Sequence, residues 1–341
     1  MTPVPTLSAA LCTYNGMPYL PLQLQSMLEQ QQPLHEIVVC DDGSTDDTWQ
    51  YLQQLQQQHP QLLRLYKNNS RLGARQNFAQ ALQRCTGAII FLADQDDYWL
   101  PHKTSRIVEA FAQQPATEVI FSNARLMDHQ DRILPTDLWS AIHLSTSVEV
   151  NKMQQNDWLR YALTNPALAT GACMALRSSV LEKALPLFTP AHYWHDYWLS
   201  LLAASRGTLL ALPDVLVHFR EHGQQQTGTY RHNATAGSLF AQAWAWPTTA
   251  TLPAATISQP LLAHLAFALQ RFELFAPALA KAAANPEALF WCRQYLQQQL
   301  QSAKRSYFDG MPWATRKKTL LKHWLKGGEY LRISLAELLQ W

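Results

Sequence analysis

Cysteine is scarce and scattered in this chain of 341 residues: Cys12, Cys40, Cys85, Cys173 and Cys292 form no CxxC pair and no other metal-ligand spacing. Several lie inside apolar, strand-like runs, so they read as small buried hydrophobes in a reducing compartment. Net charge is equally sparse, 27 Lys and Arg against 25 Asp and Glu for a balance of +2. A nucleic-acid-binding domain usually carries a marked basic excess, so nucleic acid is set aside as a partner. No apolar run approaches the roughly 18 residues of a membrane span. The opening Met1-Thr-Pro-Val-Pro lacks the basic and apolar regions of a signal peptide. The expectation is a cytoplasmic protein that at most lies on the cytoplasmic face of a membrane. Neither a P-loop nor a GxGxxG element occurs.

What is present centres on residues 87–101. An apolar run over 88–93, rich in Ile and Phe and opened by Gly87, has the length of a strand buried on both faces of a parallel sheet. It ends in Asp94-Gln-Asp96-Asp97. Packing does not ask for three carboxylates there, because two unit charges about 4 Å apart repel by roughly 1 kcal/mol in water and roughly 4 at an effective dielectric near 20. A divalent cation reverses that sign, and hard oxygen ligands suit Mg²⁺ or Mn²⁺ completed by substrate phosphates. A solvated acidic turn is the plain alternative.

The preceding chain alternates. Residues 7–12 read as a strand that breaks at Asn15-Gly16, and Leu20, Leu24, Met27 and Leu28 recur as one face of a helix. Residues 37–40 form a second strand ending in Asp41-Asp42-Gly43-Ser44. A helix follows from Ser44 or Thr45 with Trp49, Leu52 and Leu55 inward, then a strand over 62–66 and a helix over 73–84 carrying Phe78 and Leu82. Beyond Pro101 come a helix with Ile107 and Phe111 and a strand at 119–121. Such alternation indicates βαβ units, whose ligands bind beyond the carboxyl ends of the strands. The clusters 13–16, 41–44 and 94–97 all fall at such ends, which independent surface loops have no reason to share.

From 125 to 235 the alternation dissolves. Thr170-Gly171 leads into a buried strand, residues 192–199 open a helix, and two short strands at 209–212 and 215–219 run into Arg220-Glu221-His222-Gly223. Residues 247–260 read as a Thr/Ala/Pro linker and 265–300 as helical. The tail from Gln301 holds eight Lys or Arg against three acids. Leu320, Leu321, Trp324 and Leu325, then Leu331, Leu335, Leu338 and Leu339, form apolar stripes beside these cations, suited either to an anionic membrane surface or to packing on the catalytic domain or a second subunit.

A nucleoside diphosphate needs a base pocket and a cation. Asp42 can accept from a pyrimidine imide N–H, Arg75 can reach a phosphate, and Asp94 with Asp96 can hold ribose and metal. With no glycine-rich loop, phosphates must be neutralised mainly by metal. Over residues 6–230 these elements resemble, in order and spacing, the family 2 glycosyltransferases of GT-A fold: Cys12-Thr13-Tyr14-Asn15-Gly16, Asp41-Asp42-Gly43-Ser44, the stretch Asn69 to Asn77, and Asp94-Gln95-Asp96-Asp97. The resemblance implies an α/β nucleotide-sugar-binding fold, a mostly parallel sheet flanked by helices with a helical C-terminal region. It also implies that Thr13, Tyr14, Asn15 and Asp42 belong to the donor pocket, and that Asp96 ligates the metal. His195-Asp196 stands where the family usually shows Glu-Asp, so Asp196 matches the catalytic base and His195 has no assigned role. Arg220-Glu-His222-Gly resembles the family's Arg-x-His segment near metal and diphosphate. His-Asp-Tyr-Trp with Arg-Glu-His-Gly further resembles rhamnosyltransferase-type members.

The resulting expectation is an inverting, Mg²⁺- or Mn²⁺-dependent transferase moving a sugar from a UDP or dTDP donor, rhamnose included, to a glycan or lipid-linked acceptor of cell-surface polysaccharide. Its domains are 1–235 (GT-A) and 236–341 (helical; acceptor, homo-oligomer or peripheral membrane contacts). Rivals are a sugar-nucleotide nucleotidyltransferase, which normally carries a glycine-rich basic loop after its first strand, and an inactive glycan-binding scaffold. Structural roles stand beside the chemical ones: Asp196 as a helix N-cap, His222 as a loop histidine, Tyr14 as strand-end packing, and Trp99, Trp194 and Trp198 as core or rim aromatics.

Overall fold

A computed structural model describes residues 4–142, 144, 153, 155–164, 170–185, 194–223, 225, 259–282 and 284–309. The expected domain boundary at 235, most of the 247–260 linker and the stripes over 320–339 lie outside the described residues.

Four strands carry the first half: β1 (Leu7–Thr13), β2 (Glu36–Asp41), β3 (Leu63–Lys67) and β4 (Ile89–Asp94). They pair in parallel in the order β3-β2-β1-β4. Helices α1 (Leu20–Leu28), α2 (Thr48–Gln58) and α3 (Ala74–Arg84) are the crossovers between them. Every residue of β1 and β2 is buried, as their apolar runs require, whereas β3 at the sheet edge is only partly so. Register sets Thr13 opposite Asp41 and Cys12 opposite Asp94. The loops after β1, β2 and β4 therefore open at one end of the sheet.

The second half departs from simple alternation. After β5 (Tyr98–Trp99) and α4 (Lys103–Gln113) come β6 (Val119–Asp128), β7 (Ile133–Asp137), α5 (Leu138–Ala141) and α6 (Gln155–Thr164). A 3₁₀ turn, Gly171–Cys173, leads into β8 (Met174–Arg177), then α7 (Leu181–Ala184), α8 (His195–Arg206) and β9 (Leu209–Glu221). The sheet continues β4-β8-β6-β9-β5 with β7 on β6. β8 is antiparallel to both its neighbours, β6 and β9 are parallel, and β5 and β7 are antiparallel additions. The sheet is thus mixed rather than simply parallel, because β8 enters between β4 and β6 by long-range pairing that a strand of four residues does not announce.

The two short strands expected at 209–219 are one 13-residue strand. Pro213 and Asp214 sit where its pairing with β6 slips between Ser122 and Asn123, so a bulge absorbs the proline that cannot donate to a ladder. This continuity delivers Arg220 and His222 to the same sheet end as Asp94. The hairpin of α9 (Gln259–Lys281) and α10 (Pro286–Asp309) packs on α6 and α8. Phe275 lies 5.7 Å from Tyr197 and 5.9 Å from Trp198, and Arg160 donates to the Tyr295 hydroxyl at 3.2 Å. Among the described residues no helix is long and apolar enough to cross a membrane.

Candidate active site

The three loops at the carboxyl end of the sheet are laced together. Tyr14 donates its N–H to Gln95 Oε1 at 2.8 Å, and Gln95 Nε2 donates back to the Tyr14 carbonyl at 3.1 Å. Asn15 adopts φ +48°, its N–H reaching Ser44 Oγ at 2.9 Å and its Oδ1 accepting from Thr45 N at 2.8 Å. Gly16 is needed because a Cβ there would stand 2.4 Å from Gln95 Oε1. The Thr13 hydroxyl donates to Asp41 at 3.0 Å, so that side chain joins β1 to β2.

Asp42 is buried and accepts from Asn68 Nδ2 (2.9 Å), Leu72 N (2.7 Å) and Gly73 N (2.8 Å). It closes the 68–73 loop while still lining the cleft. A carboxylate has about four acceptor sites, so one remains for a ligand N–H.

The cleft encloses about 420 Å³. Its lining includes Tyr14, Asn15, Asp42 and Arg71, then Asp94, Asp96 and His222, and Gly171, Trp194, His195 and Asp196. Thr13 also borders it. The wall contributed by the 69–77 stretch and α3 is Arg71, Ala74, Asn77 and Phe78; Arg75 stands outside it. The Arg71 guanidinium lies 4.0 Å over the Tyr14 ring.

The three acids after β4 diverge. Asp96 Oδ2 meets His222 Nε2 at 2.7 Å, and the His222 ring packs at a tilt against Tyr19 with centroids 4.6 Å apart. Burial, with Asp96 and Asp196 nearby, pushes the Asp94 carboxyl up to about 8, a repulsion that a cation would relieve. Asp97 turns inward, 1% exposed, and accepts from Arg220 N at 2.9 Å; burial first, then Asp96 and Asp94, raise its pKa well above the usual range.

Arg220 is itself fully buried and does not line the cleft. Its guanidinium donates to the Asp96 carbonyl at 2.7 Å, to the Asp128 carbonyl at 3.2 Å and to Asp131, and it lies over Tyr19 at 4.5 Å. It grips the turn that carries Asp96 and precedes His222 by two residues.

Asp96 and His222 present two donors side by side. An oxygen and an imidazole nitrogen together suit Mg²⁺ or Mn²⁺, so these two residues would hold such an ion, which would neutralise charge on a bound anion. Among the described residues no group of three His, Cys, Asp or Glu side chains forms a preformed cage.

Asp196 Oδ2 accepts from Gly171 N at 3.0 Å and Oδ1 from Tyr197 N at 2.7 Å. The N-cap of α8 is Trp194, so Asp196 lies inside the first turn and is not the cap. Of the three tryptophans, Trp194 lines the cleft at 38% exposed, whereas Trp99 and Trp198 are core. His195 is buried against Phe78, with ring centroids 4.0 Å apart, and neither ring nitrogen has a partner. An unpaired buried polar atom costs on the order of 1–3 kcal/mol. Gln95, Arg71, Phe78 and Gly171 are site residues that sequence reading did not single out; the first three lie inside or beside its motifs.

The profile described as Glycosyl transferase family 2 matches residues 8–185, more than half of the chain. The chain belongs to that family. Its mixed sheet with flanking helices is the GT-A fold, extended by the α9–α10 hairpin. An uncharacterized glycosyltransferase of Nostoc sp. is 30% identical over 220 residues, covering 64% of this chain and 65% of that one. A UDP-Glc:alpha-D-GlcNAc-diphosphoundecaprenol beta-1,3-glucosyltransferase of Escherichia coli is 29% identical over 128 residues, 38% of this chain and 49% of that one. The chain thus spans less than two thirds of the length of either relative. Among solved structures, Staphylococcus aureus TarS in complex with UDP-GlcNAc aligns over 90% of this chain and 93% of its own, at 16% identity and TM-score 0.49.

Proposed function

We propose that this chain transfers a sugar from a nucleoside diphosphate donor to a hydroxyl acceptor with inversion at the anomeric carbon. The observation that carries this reading is the single cleft on which Asp42, Asp96, His222 and Asp196, drawn from four separate segments, all open. Tyr14, Asn15 and Asp42 receive the base, with Thr13 holding β1 to β2 beneath them. Arg71, rather than Arg75, is the cation placed to meet a phosphate. Asp94 faces ribose and diphosphate. Arg220 acts through the Asp96 turn instead of touching the donor. A Mg²⁺ or Mn²⁺ ion held by Asp96 and His222 would supply Lewis-acid neutralisation of the departing diphosphate.

Asp196 accepts the proton of the acceptor hydroxyl while that oxygen attacks the anomeric carbon and the bond to the diphosphate breaks. One displacement inverts the centre and needs no covalent nucleophile. The E. coli relative's lipid-diphosphate acceptor supports a lipid-linked glycan acceptor here, with a UDP-sugar as first donor to try and dTDP-rhamnose as the second. Such a role places the chain at the cytoplasmic face of a membrane, residues 1–235 doing the chemistry and 236–341 meeting the acceptor, a second copy or the lipid.

The test is a thermal-shift panel of UDP- and dTDP-sugars with and without Mn²⁺, followed by a hydrolysis and transfer assay on the donor that stabilises most. Metal-dependent stabilisation with turnover is expected. Binding without any donor turnover would leave an inactive glycan-binding scaffold, and no binding at all would overturn the reading.

A further inference from the structure

Lys103 opens α4, and its side chain is fully buried. Burying an amino group is costly, and a Met or Leu would fill the same space without that cost. Burial pushes its pKa down to about 7, against the pull of Cys173, Asp97 and Asp94. The Nζ group donates to the Ala172 carbonyl at 2.8 Å and lies 3.8 Å from the centroid of the Trp99 ring. Charged or neutral, it can make that hydrogen bond.

Ala172 is the middle residue of the 3₁₀ turn Gly171–Cys173, which Cys173 N closes by donating to the Thr170 carbonyl at 2.9 Å. The same turn aims the Gly171 N–H at Asp196 Oδ2, 3.0 Å away. Oδ1 is held by Tyr197 N within α8, so among the described residues Gly171 is what ties the carboxylate to a separate element. The approach is close: a Cβ on Gly171 would stand 3.2 Å from His195 Nε2 and 3.5 Å from Asp196 Oδ2. Ser122 Oγ reaches the Cys173 carbonyl only at 3.5 Å, so Lys103 supplies the tighter of these two side-chain bonds to the turn. Hydrogen bonds weaken steeply as distance and angle depart from the optimum, so a displaced turn frees the carboxylate to rotate.

We propose that Lys103 is a positioning residue for the reaction: by holding the Ala172 carbonyl it seats the Gly171 N–H that orients the Asp196 carboxylate toward an acceptor hydroxyl. The inference rests on the transferase reading above. A general base must be kept within hydrogen-bond reach of the proton it removes, and Asp196 retains about two acceptor sites beyond its two backbone bonds. A countercharge to Asp94 and Asp97 is the rival role for this cation. That role acts on diphosphate affinity, whereas a seat for the base acts on turnover.

The test compares wild type, Lys103→Met, Lys103→Gln, Asp196→Asn and the double variant Lys103→Met with Asp196→Asn, with melting curves to check folding. Affinity for UDP and dTDP is measured by calorimetry with Mn²⁺. Turnover is the hydrolysis of whichever of UDP-glucose, UDP-GlcNAc and dTDP-rhamnose wild type hydrolyses fastest. Lys103→Met is expected to lower turnover roughly ten- to a hundredfold, the cost of misplacing a reacting group by up to about 1 Å, with diphosphate affinity held within about threefold. Gln keeps a donor on a shorter stem and should recover part of that loss. In the Asp196→Asn background Met should cost nothing further, because both changes remove one device. An equal loss of diphosphate affinity would give Lys103 the countercharge role and overturn the proposal, as would unchanged turnover or additive losses in the double variant. Should Met fail to fold, Gln decides: lowered turnover with affinity kept, and no added loss beside Asp196→Asn, supports the proposal, whereas unchanged turnover or an additive loss overturns it. Wild type that neither binds a diphosphate nor hydrolyses any of the three donors would instead bring down the transferase reading, and this inference with it.

Discussion

Asp96 and Asp97 are neighbours in the chain yet serve opposite sides of one turn, the first paired with His222 in the cleft and the second buried under Arg220. Substitution should separate them. Asp96→Ala is expected to remove the Mn²⁺-dependent part of diphosphate affinity in calorimetry, whereas Asp97→Asn, which keeps an acceptor for Arg220 N, should hold that affinity within about threefold. Equal losses would mean that both acids serve the ion. Asp196→Asn should keep donor affinity and lower turnover by roughly 10² to 10⁴, the usual contribution of a general base. Its amide can accept only one of the two backbone N–H bonds that the carboxylate takes, so about 1 kcal/mol of stability goes as well. Near-normal turnover of the Asn variant would deny Asp196 the proton.

The loop after β1 and the turn after β4 act as one element through Gln95. The reciprocal bonds of Gln95 with the Tyr14 backbone hold Tyr14 and Asn15 on the cleft, and Gly16 is the residue that lets the amide come so close. Gly16→Ala should displace Gln95 and weaken diphosphate binding roughly tenfold, and Gln95→Ala should do about the same by losing the bonds directly. The two changes remove one device, so the double variant is expected to be no worse than either single one. Additive losses in that cycle would show that Gly16 matters for another reason.

Across the whole molecule the two ends of the sheet divide labour. At the end remote from the cleft, Glu36 accepts from Ser8 at 2.6 Å, from Thr86 and from Arg64 at 2.6 Å, joining β1, β2, β3 and the approach to β4. Burial alone would raise its pKa, but these donors outweigh it and bring the carboxyl below the ordinary 4.5. A depressed carboxylate contributes stability above the unfolded value that is lost as pH falls through the folded one. Glu36→Gln should therefore cost about 1.5–3 kcal/mol near pH 7 and flatten the decline of melting temperature below pH 4.5, with diphosphate affinity unchanged. An unaltered acid limb would assign that decline to other groups. For the tail, flotation of the full chain with anionic vesicles at low salt, compared with a chain ending near residue 310, tests the membrane surface; each Lys or Arg near such a surface adds about 1 kcal/mol. A full chain that stays unbound would leave the tail a packing role.

The sequence by itself determined the parallel half of the sheet, the polar ends of β1, β2 and β4, and the residues Asp42, Asp94, Asp96 and Asp196 that meet on the cleft. Those signals are local: an apolar run has the length of a strand, a spacing of three and four marks a helix face, and strand ends carry the loops that bind. Tertiary structure alone decided that β8 runs backwards between β4 and β6, and that a bulge carries β9 past Pro213 to bring His222 to Asp96. It also turned Asp97 and Arg220 inward, set Arg71 in the wall instead of Arg75, and left His195 without a partner. Strand order and side-chain direction are fixed by pairings and packing between residues more than a hundred positions apart, as His222 is 126 from Asp96. No periodicity within a single segment encodes them.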